Sequence, residues 1–108
     1  MSRHDGILVC VVSTRPWEMF EAGIKGAEYR ADKPGKDHWH RILLDGLEPR
    51  PLHTLRVPLG YAHDRPILEM PIRHIDWGLP NPEWTCGIIA PEDCFRIWVD
   101  VANRKRIA

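Results

Sequence analysis

The sequence predicts an α+β fold, a small and strongly curved β-barrel with one or two short helices. Several short apolar segments typical of strands follow a single early helix, an order that fits a curved sheet better than a doubly wound parallel one. The chain has 108 residues, of which 44% are hydrophobic, so it is long enough for one packed core and too short for two. Residues 1–108 are therefore expected to form a single domain.

The first strand and the first helix are the most clearly marked elements. Residues 7–12 are apolar on both parities, which predicts a strand that is buried on both faces. Ser13 is a typical helix N-cap, and Pro16 suits the first helical turn that follows it. The residues at helical spacing that should form the buried face of this helix are Trp17, Phe20 and Ile24.

The later elements follow from parity and turn residues. Residues 26–30 predict a second strand with Glu28 and Arg30 on one face and Tyr29 on the other. One or two helical turns are expected within residues 37–44. Further strands are predicted at residues 54–59, 67–76 and 95–101, with a proline-containing connector at 47–51, a long loop at 77–91 and a basic tail at 103–108. Pro71, inside a predicted strand, indicates a sheet edge or a bulge.

Charge and hydropathy exclude several classes of protein. Lys and Arg number 15 against 15 Asp and Glu, so the net charge is zero and strong binding to duplex DNA is not expected. The longest apolar run covers only residues 7–12, which is too short to cross a membrane. The first residues show no secretory signal, so a cytoplasmic location is expected. The sequence does not indicate an oligomeric state.

The three cysteines do not form a disulfide scaffold or a metal finger. Cys10 lies inside an apolar run and is interpreted as a small core residue. Cys86 and Cys94 are expected to be free thiols, because nothing indicates an oxidising compartment, and their role is left open. No cofactor is expected.

One motif points to a family. Residues 23–30 have the pattern G-x-K-x-x-E-x-R directly after the first helix, and residues 13–16 lead into that helix. Supporting stretches run from Arg30 to Trp39 and Arg41, and include Gly60 and Tyr61 after a strand. In these motifs and in element order, the chain resembles the ASCH domain family of the PUA-like superfamily.

The resemblance implies a PUA-like β-barrel with a cleft beside the first helix, lined by the Lys, Glu and Arg of the motif. It also implies a link to RNA or nucleotides. Some family members resemble RNA-binding modules, some are reported as ribonucleases, and some small bacterial members are amidohydrolases that act on acylated cytidine. The amidohydrolase members have a Thr three residues after the motif Lys, where this chain has Glu28.

Lys25, Glu28 and Arg30 are the best candidates for chemistry. Strand parity places Glu28 beside Arg30 and puts Lys25 at the mouth of the strand, and a carboxylate between two cations is expected to stay ionised. Lys25 and Glu28 are the predicted reacting pair if the domain is catalytic, which is left open. The alternative is an exposed ladder of ion pairs. For a ligand site, Glu28→Gln is expected to cost the fold no more than about 0.5 kcal/mol.

Ligand contacts are predicted around this trio. Trp39 is a candidate for stacking on a base and Arg41 for contacting phosphate; the alternative is that Trp39 only covers one end of the barrel. Tyr61 follows Gly60, which permits close approach of a ligand or simply makes a turn. The predicted ligand-binding residues are Arg30, Trp39, Arg41, Tyr61 and Ser13. His38 and His40 lack the further ligands of a metal site, so none is predicted.

The leading function is recognition of RNA or a nucleoside-like small molecule in a polar cleft. The first alternative is a small hydrolase, an amidohydrolase on a modified nucleoside or a ribonuclease, that uses Lys25 and Glu28. The second alternative is a protein-interaction module without chemistry. The shape and charge of the surface around Glu28 discriminate between these three.

Overall fold

The computed structural model describes residues 6–87 and 92–108. The elements in chain order are β1 (Ile7–Val9), α1 (Thr14–Glu21), β2 (Ala27–Arg30), α2 (His38–Leu43), β3 (Leu44–Asp45), β4 (Glu48–Pro49), β5 (Thr54–Pro58), β6 (Ile67–Gly78), β7 (Cys94–Val99) and β8 (Lys105–Arg106). Residues 1–5, from which no secretory signal was inferred, and residues 88–91, the end of the predicted loop, lie outside the described residues. No helix in the described ranges is long and apolar enough to span a membrane.

A six-stranded sheet organises the fold. Its strands lie in the order β1-β5-β6-β7-β2, with β8 beside β6, and only the β1–β5 pair is parallel. The two helices make the fold α+β, as predicted. Backbone pairing within the described residues leaves the sheet open between β1 and β2, so no closed barrel forms there.

One face of the sheet carries the core. The buried side chains come from β1 and its extension, both helices and the inward faces of the strands; they include Leu8, Trp17, Phe20, Leu43, Leu55, Met70 and Ile97. A second, smaller cluster lies on the opposite face, where Ala27, Tyr29 and Cys94 pack with Trp84 and Trp98. The short helix α2 falls where the sequence predicts helical turns, and it covers one end of the first core.

The expectation that the first strand is buried on both faces is wrong. Leu8, Cys10 and Val12 face the core, whereas Val9 on the other face is 48% exposed. Val9 is exposed because β1 lies at the end of the strand order and only one of its faces is covered. Burial raises the pKa of Cys10 to about 12, which agrees with its interpretation as a core residue.

Helix α1 begins after Ser13 as predicted and ends at Glu21, so it does not include Ile24. Gly23 adopts a positive φ of 77° and turns the chain away from the helix axis. Ile24 is therefore not on the buried face and is 59% exposed. Trp17 is buried as expected, and its Nε1 donates a hydrogen bond to the backbone oxygen of Val57 at 3.1 Å, which fixes the helix against β5.

A bulge in β6 changes which residues face the core. The register with β7 shifts between Ile72 and His74, two residues beyond Pro71. Before the bulge, even-numbered residues such as Met70 face the core; after it, Ile75 pairs with the core residue Ile97. His74 is therefore not on the face of Met70 and lies exposed on the outer face, stacked on Trp98.

Three predicted irregular segments contain secondary structure. The connector at residues 47–51 includes β4, which forms a small hairpin with β3. The predicted loop at 77–91 begins with the last two residues of β6 and contains a 3-10 turn at Pro82–Trp84. The basic tail is not free, because β8 pairs with β6 and Lys105 lies 3.7 Å from a Glu69 carboxylate oxygen.

The strand predicted at 95–101 ends at Val99, and a 3-10 turn follows.

The cysteines are free thiols, as predicted. Cys10 and Cys94 are buried, and the thiol of Cys86 contacts the sulfur of Met19 at 3.4 Å. Cys86 also adopts a positive φ of 56°, which directs the chain out of the 3-10 turn.

Because of the bulge, the neighbouring residues His74 and Ile75 of β6 should contribute differently to the free energy of unfolding. We expect Ile75→Ala to lower the free energy of unfolding by about 1–3 kcal/mol, because this side chain packs against the core. His74→Ala is expected to cost less than about 1 kcal/mol, because the imidazole lies on the outer face. Urea denaturation of both variants measures the difference, and a larger loss in His74→Ala would contradict the observed register.

Candidate functional site

The motif residues of β2 come together as parity predicts. Glu28 and Arg30 lie on the core face of the strand, opposite Ile97 and Phe95 of β7. Arg30 Nη2 lies 2.6 Å from Glu28 Oε2, and Lys25 Nζ lies 3.6 Å from Glu28 Oε1. The Glu28 carboxylate therefore forms ion pairs with both cations, and the three side chains form a single network.

This network is buried, which the sequence did not indicate. Lys25 is 2% exposed and Glu28 is 5% exposed, so neither an exposed ion-pair ladder nor an open cleft reaching these two side chains is found in the described residues. Lys25 Nζ donates to the backbone oxygen of Trp84 at 2.6 Å and lies over the ring of Tyr29 at 4.8 Å. Burial lowers the pKa of Lys25, although the Glu28 carboxylate opposes this shift.

Arg30 connects the two ends of the sheet. Its Nη2 donates to the backbone oxygen of Val11 at 2.9 Å, so a side chain of the last strand in the order reaches the chain that continues the first. Burial opposes the charge on the Arg30 guanidinium, but the neighbouring Glu28 carboxylate raises its pKa on balance, with a smaller contribution from the phenol of Tyr61. Arg30 is thus a fixed cation near the open side of the sheet.

Trp39 lies against this cation. The Arg30 guanidinium carbon is 5.0 Å from the centroid of the indole, the geometry of a cation–π contact. Asp32 holds Trp39 in place, because its carboxylate accepts the backbone N–H of Trp39 at 2.6 Å and that of His40 at 3.0 Å. Burial opposes the charge on Asp32, but these hydrogen bonds outweigh it and lower the pKa of the carboxyl.

Tyr61 and Ser13 lie on the same side of the molecule as Arg30. The turn that carries Tyr61 is joined to the end of the first strand, because Gly60 N–H donates to the backbone oxygen of Val12 at 2.9 Å. Tyr61 is 84% exposed and borders an open surface cavity of about 440 Å³, which residues 62–65, Ile67 and Ala108 also line. Ser13 is exposed, and its side chain makes no capping bond to α1.

Arg41 is not brought to this side. It lies two residues beyond Trp39 on α2, and residues so spaced point to different sides of a helix. Its guanidinium Nε instead lies 3.1 Å from an Asp37 carboxylate oxygen, and its side chain is 73% exposed. Arg30 is thus in contact with Trp39 and interacts electrostatically with Tyr61, Ser13 lies two residues beyond the Val11 oxygen that Arg30 binds, and Arg41 is directed elsewhere.

The structure adds residues that sequence patterns did not single out. Asp32 bonds to the backbone of Trp39 and so closes the loop between them, which contains a turn from Lys33 to Lys36. Both lysines are exposed, and neither has an ion-pair partner in the part of the chain that the structure describes. Lys33 and Lys36 could have been proposed from the sequence, because they lie within six residues of Arg30. The bonds of Asp32 could not be predicted, because they depend on how the loop folds back onto α2.

The imidazole of His40 is hydrogen-bonded to a carboxylate. Its Nδ1 lies 2.6 Å from Asp32 Oδ2, and its ring contacts Phe95 and Trp77. Across residues 6–87 and 92–108, no group of three potential metal ligands gathers in one place.

Comparison with known proteins gives no relative for this chain: no family model, no curated protein and no solved structure matches it.

The burial of Glu28 changes the expected cost of replacing it. Glu28→Gln leaves the buried ammonium of Lys25 and the partly exposed guanidinium of Arg30 without a counter-charge, so we expect a loss of about 3 kcal/mol in the free energy of unfolding rather than a neutral effect. Glu69→Gln is the matched control, because Glu69 pairs with Arg56 and Lys105 nearer the surface and should cost less than about 1 kcal/mol. Equal losses in urea denaturation would contradict a buried network.

Asp32 makes the fold around α2 sensitive to acid. Because its pKa is lowered in the folded protein, its contribution to stability is complete above the unfolded value of about 3.9 and is lost as the pH falls through the folded value. We expect Asp32→Asn to cost about 1 kcal/mol at neutral pH, as loss of a helix cap does. Urea denaturation between neutral pH and about pH 3 should show this difference shrinking, and a difference independent of pH would contradict the assignment.

Proposed function

We propose that this chain is an ASCH-like domain of the PUA-like superfamily and that it binds RNA or a nucleotide-like ligand. The motif at residues 23–30, the helix before it and the order of elements support the family. The ligand surface we propose consists of Arg30, Trp39, Tyr61 and Ser13, and we call it the Arg30 face. Lys25 and Glu28 lie beneath this face and hold it in place.

The contact between Arg30 and Trp39 is the observation that carries this proposal. Arginine has five N–H donors, of which Glu28 and Val11 accept three, on Nε and Nη2. The two on Nη1 bond to nothing in the described ranges, and no side-chain polar atom there is both buried and unbonded, so Nη1 reaches solvent. A cation with free donors beside an indole suits a phosphate next to a stacked base.

Local charge supports the same ligand. Although the chain as a whole is neutral, Lys33 and Lys36 lie exposed in the loop between Arg30 and Trp39, while Asp32 in the same loop is bonded and Asp37 pairs with Arg41. Such a small positive surface favours a short single strand or a nucleotide over a duplex, whose binding depends on many phosphate contacts.

A hydrolase remains the second candidate because of one observation. Burial lowers the pKa of Lys25, and the ammonium lies 3.6 Å from Glu28, a pairing suited to proton transfer. For substrate to reach Lys25, however, the segment that carries Trp84 would have to move, because Lys25 Nζ is bonded to its backbone oxygen. Recognition without turnover is therefore the function we favour.

Tyr61 offers the cleanest test, because it is too exposed to matter for stability. We expect Tyr61→Ala to weaken binding of single-stranded RNA about 5- to 150-fold, the effect of losing one stacked base, and to leave the urea midpoint unchanged. Tyr61→Phe keeps the ring and should bind nearly as the wild type does. Fluorescence anisotropy with labelled short RNAs measures this.

Leu47→Ala is a control for surface changes in general, because Leu47 is 95% exposed at the β3–β4 hairpin. The proposal is wrong if wild type binds neither nucleotides nor single-stranded RNA, or if Tyr61→Ala binds them unchanged. Cleavage of these ligands by wild type and not by Lys25→Met would establish the hydrolase instead.

A further inference from the structure

Trp77 lies in line with the Arg30 face, across the end of the sheet. Arg30 of β2 pairs with Phe95 of β7, and Phe95 pairs in turn with Trp77 of β6, so the three residues form one row across three strands. We propose that Trp77 is a second base-stacking position and that the ligand is therefore a single-stranded oligonucleotide of at least two nucleotides. This inference rests on the proposed function and extends it.

The exposure of Trp77 is the first argument. Trp77 is 49% exposed although its ring makes a T-shaped contact with Phe95, at 4.8 Å between ring centroids and 83° between planes. The His40 ring also lies 6.0 Å from it, centroid to centroid. Trp77 is thus in contact with two rings and still about half exposed, which leaves indole surface for a stacked base, and the neighbouring Leu79 is 59% exposed as well.

Helix α2 joins the two positions. Trp39 lies over Arg30 at one end of the row, and the next residue, His40, lies over Phe95 and Trp77 at the other. Asp32 fixes the backbone of both α2 residues through its two carboxylate oxygens. The row therefore presents aromatic groups from Trp39 to Trp77 on one continuous, rigid support.

The row sets Trp77 apart from Arg30. Adjacent strands lie about 4.8 Å apart, so the backbones of Arg30 and Trp77, two strands apart, are separated by about 9.6 Å. A base that stacks on Trp77 therefore lies beside the Arg30 face and not on it, and the two positions suit successive bases of one strand.

Charge favours an oligonucleotide over a protein as the occupant. Lys33 and Lys36 are exposed in the turn that precedes α2, and Arg30, although paired with Glu28, keeps its Nη1 donors free. Of the two carboxylates in the same loop, Asp32 is used by backbone N–H groups and by His40, and Asp37 pairs with Arg41. Aromatic rings near cations with free donors suit a single strand, which binds through stacked bases and phosphate contacts.

The test compares uridine monophosphate with oligouridylates of two to six nucleotides, by isothermal titration calorimetry on the full chain. We expect wild type to bind the oligouridylates about 5- to 150-fold more tightly than the mononucleotide, the gain from one further stacked base. Trp77→Leu keeps an apolar side chain against Phe95 and should remove this gain while leaving mononucleotide binding unchanged. Trp77→Ala should do the same, and Leu47→Ala should keep the gain.

The outcomes separate this inference from the function on which it rests. If the mononucleotide binds and requires Tyr61, but longer strands bind no better or Trp77→Leu keeps their advantage, the second position is wrong and the Arg30 face stands. If neither the mononucleotide nor any oligouridylate binds wild type, the proposed function fails and the second position fails with it.

Discussion

The carboxylate of Glu28 is the interaction on which most of the described structure around the motif depends. A buried charge is costly unless it is paired, and Glu28 is paired on both sides, with Lys25 and Arg30. Each cation then reaches a distant part of the chain. Lys25 bonds to the backbone at Trp84, and Arg30 bonds to the backbone at Val11. One acidic side chain thus connects β2 to segments on both faces of the sheet.

This arrangement also explains why Arg30 suits recognition. A long side chain loses conformational freedom when it binds a ligand, and that loss weakens binding. Here Glu28, Val11 and Trp39 fix the guanidinium in advance, and its remaining donors point outward. In the proposed function, the ionic network beneath the surface would aid binding without contact with the ligand, by holding Arg30 in position.

Features set by local sequence were predictable, and features set by distant contacts were not. The alternation of Glu28, Tyr29 and Arg30 in β2 and the start of α1 after Ser13 depend on neighbours in the chain. The burial of Lys25 depends on Trp84, 59 residues away, and no pattern near the motif reports it. The exposure of His74 depends on the bulge in β6, which Pro71 indicated as one of two possibilities but whose position parity could not locate. At the candidate site, the pairing of Glu28 with Arg30 was predictable from strand parity, but the contacts of Asp32 and Trp77 depend on how the chain folds back on itself.

The bulge in β6 divides the sheet into two halves. Residues up to Pro71 pair with β5, and residues from Ile72 onward pair with β7, so β6 is the continuous backbone connection between the halves. On the opposite side, the halves meet at the bond from Arg30 to Val11, a single side chain in place of a ladder. The two halves also share one hydrophobic core, to which Leu55 belongs on one side and Ile97 on the other. The halves are therefore joined in three ways: by the backbone of β6, by a side chain at Arg30 and by apolar packing between them.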